Sequence, residues 1–326
     1  MIVAATIRWM VASAVLAAVS VSAPIQANQP ATPPRIGVLM PVAENLEEEL
    51  RHSLRDLGYI DGKTVAIEWH KVDGTHEELG SVAEDLVRSN VELIVTWGIP
   101  ATRAVLDTTQ TVPIVFCVAD PLAMGMVASL AKPGGNATGV ALLVPELTAK
   151  RLELIRQLVP RAHRIAYLRN PSNPVAARQF MVAQHAARTS EAELVVLDAR
   201  DTREVHMALQ ALPQKRFDAL IVSGERLFRK ESGRIATVVR RAKLPTIFPW
   251  REGVQEGAVM SYAWSPKDVA RRIAAYVDRI RKGAKPADLP VEQVSEYQLV
   301  VNLSIARELG IDVPRSLLLR ADEVIQ

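Results

Sequence analysis

From Arg35 onward, short apolar runs rich in β-branched residues alternate with longer stretches of helical period. This alternation is typical of parallel sheets covered by helices. In the first half the helical stretches lie at 44–57, 75–88 and 101–108, and Thr75 is placed to cap the second of them. The strands between them are predicted at 35–40, 64–69, 91–96, 113–118 and 137–141.

A second series of the same kind follows a predicted helix at 145–159. Its strands are predicted at 164–168, 194–197, 219–222, 246–248, 259–262 and 298–302, with helices at 268–281 and 303–309. The chain has 326 residues, and single cores stop growing near roughly 250–300 residues. The pattern therefore predicts an α/β protein with two doubly wound parallel-sheet lobes and a ligand cleft between them.

The domain boundaries follow from these two series. We expect a signal peptide at 1–27, a linker at 28–34, a first lobe at 35–145 and a second lobe at 146–265. The remaining segment, 266–326, is expected to cross back and to complete both lobes.

The amino end has the order of a secretory signal peptide. Arg8 is followed by an uncharged apolar run from Trp9 to Ala23, and the tripeptide Ile25-Gln26-Ala27 fits the pattern that signal peptidase reads. The apolar run is shorter than the ~20 residues of a membrane-spanning helix. We therefore expect cleavage after Ala27 and location in a bacterial periplasm.

Composition argues against several function classes. The formal net charge is +3, and basic residues are interspersed with acidic ones, so no nucleic-acid-binding stripe is indicated. The one cysteine, Cys117, lies inside an apolar run and can form no intramolecular disulfide. The six histidines lack metal-ligand spacing, and no nucleophile motif is present. We expect no enzyme activity, no cofactor and no metal.

The candidate site residues lie at the ends of strands, because parallel sheets bind ligands beyond the carboxyl ends of their strands. The turn at 97–102 leads into a helix whose free N–H groups favour a carboxylate, although Gly98 and Pro100 also suit a simple turn. Asp120 is a candidate for a ligand ammonium, and it also fits a helix cap. The full set is Met40, Pro41, Trp97, Gly98, Pro100, Ala101, Thr102, Ala119, Asp120, Asn170, Ser172, Ser223, Trp250 and Tyr262.

Aromatic residues add a preference for flat ligands. Trp97 belongs to the first series of strands, whereas Trp250 and Tyr262 belong to the second. Their rings offer faces for a planar apolar or aromatic solute, although each also suits ordinary packing. Together with the two candidate charge sites, they predict a small molecule, such as an amino acid or a related zwitterion.

Several longer segments carry a resemblance to a known family. They are LGYIDG at 57–62, VPIVF at 112–116 leading to Asp120 and Pro121, SLAKPGGNATGV at 129–140, KGAKPADLPVEQ at 282–293 and RADEVI at 320–325. The chain resembles the ABC-transporter substrate-binding protein family that includes tryptophan- and tyrosine-type binding components. It departs from the family at 257–263 and at Trp97-Gly98, so the resemblance does not carry the relatives' ligand across.

The resemblance implies a type I periplasmic binding protein fold. It further implies a monomeric receptor that passes a solute to a membrane permease and its ATPase. A ligand-sensing receptor for a membrane signalling protein has the same fold and is the alternative function. The sequence does not separate import from sensing.

Overall fold

The computed structural model of the protein describes residues 33–41, 46–142, 144–173, 175–189 and 191–326. The predicted signal peptide and its cleavage point lie outside these residues, as does most of the predicted linker. In the described residues the strands are β1 Arg35–Met40, β2 Ala66–Lys71, β3 Leu93–Trp97, β4 Ile114–Val118, β5 Ala137–Ala141, β6 Arg164–Arg169, β7 Glu193–Asp198, β8 Ala219–Val222, β9 Thr246–Phe248, β10 Met260–Trp264, β11 Glu292–Gln293, β12 Tyr297–Asn302 and β13 Glu323–Ile325.

The helices alternate with the strands over most of the chain. They are α1 Glu47–Asp56, α2 His76–Arg88, α3 Ile99–Thr108, α4 Val144–Leu158, α5 Ala176–Thr189, α6 Thr202–Ala211, α7 Arg226–Lys230, α8 Ser232–Arg241, α9 Glu252–Gln255, α10 Pro266–Arg281, α11 Leu303–Glu308 and α12 Arg315–Leu318. A short 3₁₀ helix lies at Pro286–Asp288. Most predicted elements are confirmed within two residues.

The strands form two sheets, and the predicted α/β class with two parallel-sheet lobes is confirmed. The first sheet has the order β11-β5-β4-β3-β1-β2 and is parallel throughout. The second has the order β13-β12-β10-β9-β8-β6-β7. It is mixed, because β12 pairs antiparallel with β10. We call each sheet with the helices packed on it the first lobe and the second lobe.

Helices cover both faces of each sheet, and strand alternation explains why. In β1 the side chain of Val38 packs in the cluster that contains α1 and α10, whereas the next residue, Leu39, packs in the cluster that contains α2 and α3. The second sheet is likewise covered by α4, α5 and α11 on one face and by α6 and α8 on the other. Strands buried on both faces carry continuous apolar runs, as seen in β3 and β4.

Side-chain caps define the first residues of two helices. Thr75 caps α2 as predicted, because its Oγ1 accepts a hydrogen bond from Glu78 N at 3.3 Å while the Glu78 carboxylate accepts one from Thr75 N at 2.6 Å. This reciprocal pair satisfies two N–H groups that a helix start otherwise leaves unpaired. Ser265 caps α10 in a similar way through Asp268 N.

The chain passes between the sheets at several points. It leaves the first sheet after β5 and enters the second lobe through α4, and it returns after β10 through α10. It crosses again between β11 and β12. Both lobes are therefore built from separated stretches of sequence.

Candidate functional site

A cavity of about 410 Å³ lies between the two lobes. Small-molecule sites in proteins commonly have volumes of roughly 300–1,000 Å³. Its wall is formed by the segments that follow β1, β3 and β4 in the first lobe and β6, β8 and β9 in the second. These are carboxyl ends of parallel strands, the position at which such sheets bind ligands.

Nine of the fourteen predicted site residues line this cavity. The first lobe supplies the predicted residues of the turn after β3 and of the ends of β1 and β4, and the second lobe supplies residues after β6 and β9. The nine are Pro41, Trp97, Gly98, Pro100, Ala101, Ala119, Asn170, Ser172 and Trp250.

Four other predicted residues are not among the residues that line the cavity. Met40 is 1% exposed in the core of the first lobe. The hydroxyl group of Thr102 donates a hydrogen bond to Gly98 O at 2.8 Å. Ser223 is buried at the end of β8, and the Tyr262 ring packs against the ring of Tyr297 at 5.8 Å.

The fourteenth residue, Asp120, lies at the junction of the lobes and not in the cavity wall. One carboxylate oxygen accepts a hydrogen bond from Ala123 N at 3.0 Å, but residues 121–125 form a turn and not the helix that the sequence predicted after Asp120. The other accepts one from Arg178 of α5 at 2.7 Å. The Asp120 carboxylate thus forms an ion pair with a residue of the second lobe.

A second ion-pair group joins the lobes beside α7. Asp73, which follows β2, lies 3.1 Å from the Arg226 guanidinium and 2.8 Å from the Lys230 ammonium. Arg226 also lines the cavity. Two acidic residues of the first lobe therefore bind basic residues of the second at the rim of the cavity.

The turn after β3 depends on glycine. Gly98 has φ +83° and precedes α3, and its N–H donates to Cys117 O at 2.9 Å. A side chain is strained at this φ. Pro100 fits the first turn of α3, where a missing N–H leaves no helical hydrogen bond unmade.

Three of the five tryptophans in the sequence line the cavity. The rings of Trp97 and Trp264 pack with their centres 5.1 Å apart at 53°. Trp250 packs edge-on against Phe248 at 5.5 Å, and the Arg229 guanidinium lies 5.3 Å from its ring centre. The cavity therefore has large aromatic surfaces from both lobes.

Arg151 of α4 is a cavity residue that the sequence reasoning missed. It is 1% exposed, and its Nε donates to Tyr262 O at 2.8 Å. Its Nη1 has no hydrogen-bond partner among the described residues. Burial lowers the pKa of the guanidinium to about 10, so it remains protonated at neutral pH. The sequence did indicate that Arg151 faces the interior, because position 151 lies four residues from both Leu147 and Ile155 on the apolar stripe of the helix.

An acidic residue, Glu225, lines the same cavity from the second lobe. Its carboxylate accepts hydrogen bonds from the side-chain amides of Asn170 at 3.3 Å and Asn173 at 2.5 Å. The two amides donate to different carboxylate oxygens and so fix its orientation. The cavity wall thus carries groups of both signs.

Two negative findings concern other chemistries. The described residues contain no group of three or more histidine, cysteine, aspartate or glutamate side chains placed to hold a metal ion. None of the helices described is both long enough and apolar enough to cross a membrane.

Comparison with known proteins gives consistent results. The family model described as ABC transporter substrate binding protein matches residues 38–325. A tyrosine-binding protein of Clostridioides difficile strain R20291 is 26% identical over 251 residues, which cover 77% of this chain and 72% of the relative.

Two solved structures are similar to this chain over most of its length. An ABC domain in complex with L-Trp from Streptococcus pneumoniae has a TM-score of 0.82 at 26% identity, covering 90% of this chain and 100% of the other. A conserved domain protein of Vibrio cholerae O1 biovar El Tor has a TM-score of 0.83 at 26% identity, with the same coverage. The expected type I periplasmic binding protein fold is confirmed.

Proposed function

Because the chain belongs to the ABC transporter substrate-binding protein family, we propose that it is the solute-binding component of an ABC importer and that it binds an aromatic amino acid between its lobes. The observation that carries this proposal is the cavity itself. Three tryptophans line it together with a buried arginine and a glutamate. Large apolar surfaces with a few fixed charged groups are the usual composition of a site for a small amphiphilic ligand.

The relatives support the choice of an aromatic ligand. One is named for tyrosine and another was solved with L-Trp. In this chain Trp97, Trp250 and Trp264 supply flat faces for an indole or phenol ring. Glu225 is the group in the wall that suits the ligand ammonium, because it is a carboxylate whose orientation is fixed by Asn170 and Asn173.

The proposed cycle is opening and closing of the lobes about their crossing segments. Closure removes the ligand from water and joins Asp73 and Asp120 to basic residues of the second lobe. The closed form would then dock on a permease with its ATPase, as a monomer in the periplasm. The signal-like sequence at 1–27 supports export, and the absence of a nucleophile motif in the sequence supports binding without catalysis.

Calorimetric titration of the mature protein tests the proposal. Protein unfolded in guanidinium and refolded, to remove any bound solute, is titrated with L-tryptophan, L-tyrosine, L-leucine and L-glutamate. We expect one-to-one binding of an aromatic amino acid and a rise in melting temperature, because a ligand that binds only the folded state stabilises it.

A matched pair of variants locates the site. Trp264→Leu removes a ring from the cavity wall, whereas Trp69→Leu removes a partly exposed ring that stacks on Arg51 outside the cavity. Binding should weaken in the first variant and stay unchanged in the second. Equal effects in both, or no binding of any amino acid by the wild type, would refute the proposal.

A further inference from the structure

Three residues that line the cavity each have a buried hydrogen-bond donor with no partner among the described residues. The donors are Nη1 of Arg151, the side-chain amide nitrogen of Gln179 and the indole nitrogen of Trp250. The exposed fractions of the three residues are 1%, 1% and 4%. Buried polar atoms in native proteins are nearly always hydrogen-bonded, so three unpaired donors around one cavity need an explanation.

The three donors come from three separate elements of the second lobe. Arg151 lies on α4, Gln179 on α5 and Trp250 in the turn after β9. Packing of one element alone therefore does not produce the group. All three atoms donate and none accepts, and a ligand that satisfies them must present acceptors.

The charge of Arg151 narrows the class of ligand. No described carboxylate forms an ion pair with it, although an isolated buried charge is strongly unfavourable. The hydrogen bond from its Nε to Tyr262 O holds the plane of the guanidinium. A guanidinium fixed in this way is well placed to bind a carboxylate through charge-assisted hydrogen bonds.

We propose that Arg151, Gln179 and Trp250 form the receptor for the carboxylate of the ligand, so that the second lobe binds the anionic end of the solute. This inference deepens the proposed function, on which it rests for the identity of the solute. It also moves the carboxylate away from the start of α3, where the sequence alone predicted it. A helix start offers about half a positive charge, whereas Arg151 offers a full one.

The test compares ligands that differ at the carboxylate. Wild type is titrated with L-tryptophan, L-tryptophanamide, tryptamine and indole-3-propionate. The same four compounds are titrated into Arg151→Met, which approximates the side-chain length and removes the charge, and into Lys150→Met. Lys150 is the neighbouring cation of α4, pairs with Glu153 at 2.7 Å and lies outside this cavity.

We expect L-tryptophan and indole-3-propionate to lose at least about 30-fold in affinity in Arg151→Met, the effect of removing one partner of a buried charge pair. Tryptamine and the amide should bind weakly to the wild type and change little in the variant. Lys150→Met should bind all four compounds as the wild type does, and Arg151→Lys should restore part of the lost affinity.

Ligand-free stability separates this role from a structural one. A buried cation without a counter-charge destabilises the fold, and its removal offsets the loss of the hydrogen bond to Tyr262 O, so ligand-free Arg151→Met should melt within a few degrees of the wild type. A marked fall in melting temperature would show that Arg151 serves folding, and would overturn the inference whatever the ligand is.

The outcomes distinguish the two proposals. If tryptamine binds the wild type as tightly as L-tryptophan, or if Arg151→Met binds L-tryptophan unchanged, the carboxylate receptor is refuted and the aromatic site remains. If no amino acid binds but indole-3-propionate binds in an Arg151-dependent manner, the proposed function fails and the receptor stands. If no carboxylate binds, both fail.

Discussion

Asp73→Asn tests whether ion pairs between the lobes hold the cavity closed. Asp73 lies 3.1 Å from Arg226 and 2.8 Å from Lys230, both of the opposite lobe. Its side chain is 12% exposed, whereas its partners are 40% and 50% exposed. The substitution keeps the shape of the side chain and removes its charge, so it weakens two ion pairs that exist only when the lobes meet.

The exposure of these side chains sets the expected loss of ligand affinity. Partly exposed ion pairs contribute about 0.2–1 kcal/mol each, so two of them contribute roughly 0.4–2 kcal/mol to the closed form. If ligand binds only that form, the apparent affinity for L-tryptophan falls by about 2- to 30-fold. The effect should shrink at 1 M salt, where the Debye length is about 3 Å.

Calorimetric titration with L-tryptophan at low and high salt measures the change in affinity. Small-angle X-ray scattering measures the radius of gyration, which at subsaturating ligand should be larger in Asp73→Asn than in the wild type. Glu153→Gln is the control, because its ion pair with Lys150 lies within α4 and joins no lobes. Unchanged affinity in Asp73→Asn at low salt, or an equal decrease in Glu153→Gln, would show that the pairs do not contribute to closure.

Two further predictions concern stability. Gly139→Ala should lower the free energy of unfolding in urea by about 3 kcal/mol or more, because the added Cβ would lie 2.0 Å from Phe116 O. The control is Gly135→Ala, whose Cβ meets no atom within 4 Å and which should have little effect. Burial raises the pKa of Tyr167 to about 12, and an unfolded tyrosine ionises near pH 10. The unfolded chain therefore loses its proton first, and the melting temperature should fall as pH rises above about 10, less steeply in Tyr167→Phe.

The sequence predicted most of the framework because buried parallel strands produce continuous apolar runs. Strands β1, β5, β8 and β9 have the predicted bounds. It missed β11 and β13, which have two and three residues and are defined by pairing with β5 and β12 rather than by their own pattern. It also gave no sign that β12 runs antiparallel to β10, since strand direction depends on the crossing of the chain.

The sequence indicated some residues of the cavity wall and not others. The segment from Trp97 to Ala101 was found because the position of strand ends follows from the strand pattern. Arg151 was missed because a basic residue on a helix is usually exposed, and its partner Tyr262 lies in β10, which is distant in sequence. Asp120 lies at a strand end as expected, but its pairing with Arg178 depends on the arrangement of the two lobes.

The return of α10 to the first lobe has a consequence for biogenesis. Val269, Ile273 and Val277 complete the cluster that contains Val38 and Val115. A polypeptide that ended at residue 265 would still expose the apolar face of β4 and β5 that this helix covers. Neither lobe can complete its core until segments that follow residue 265 have joined it.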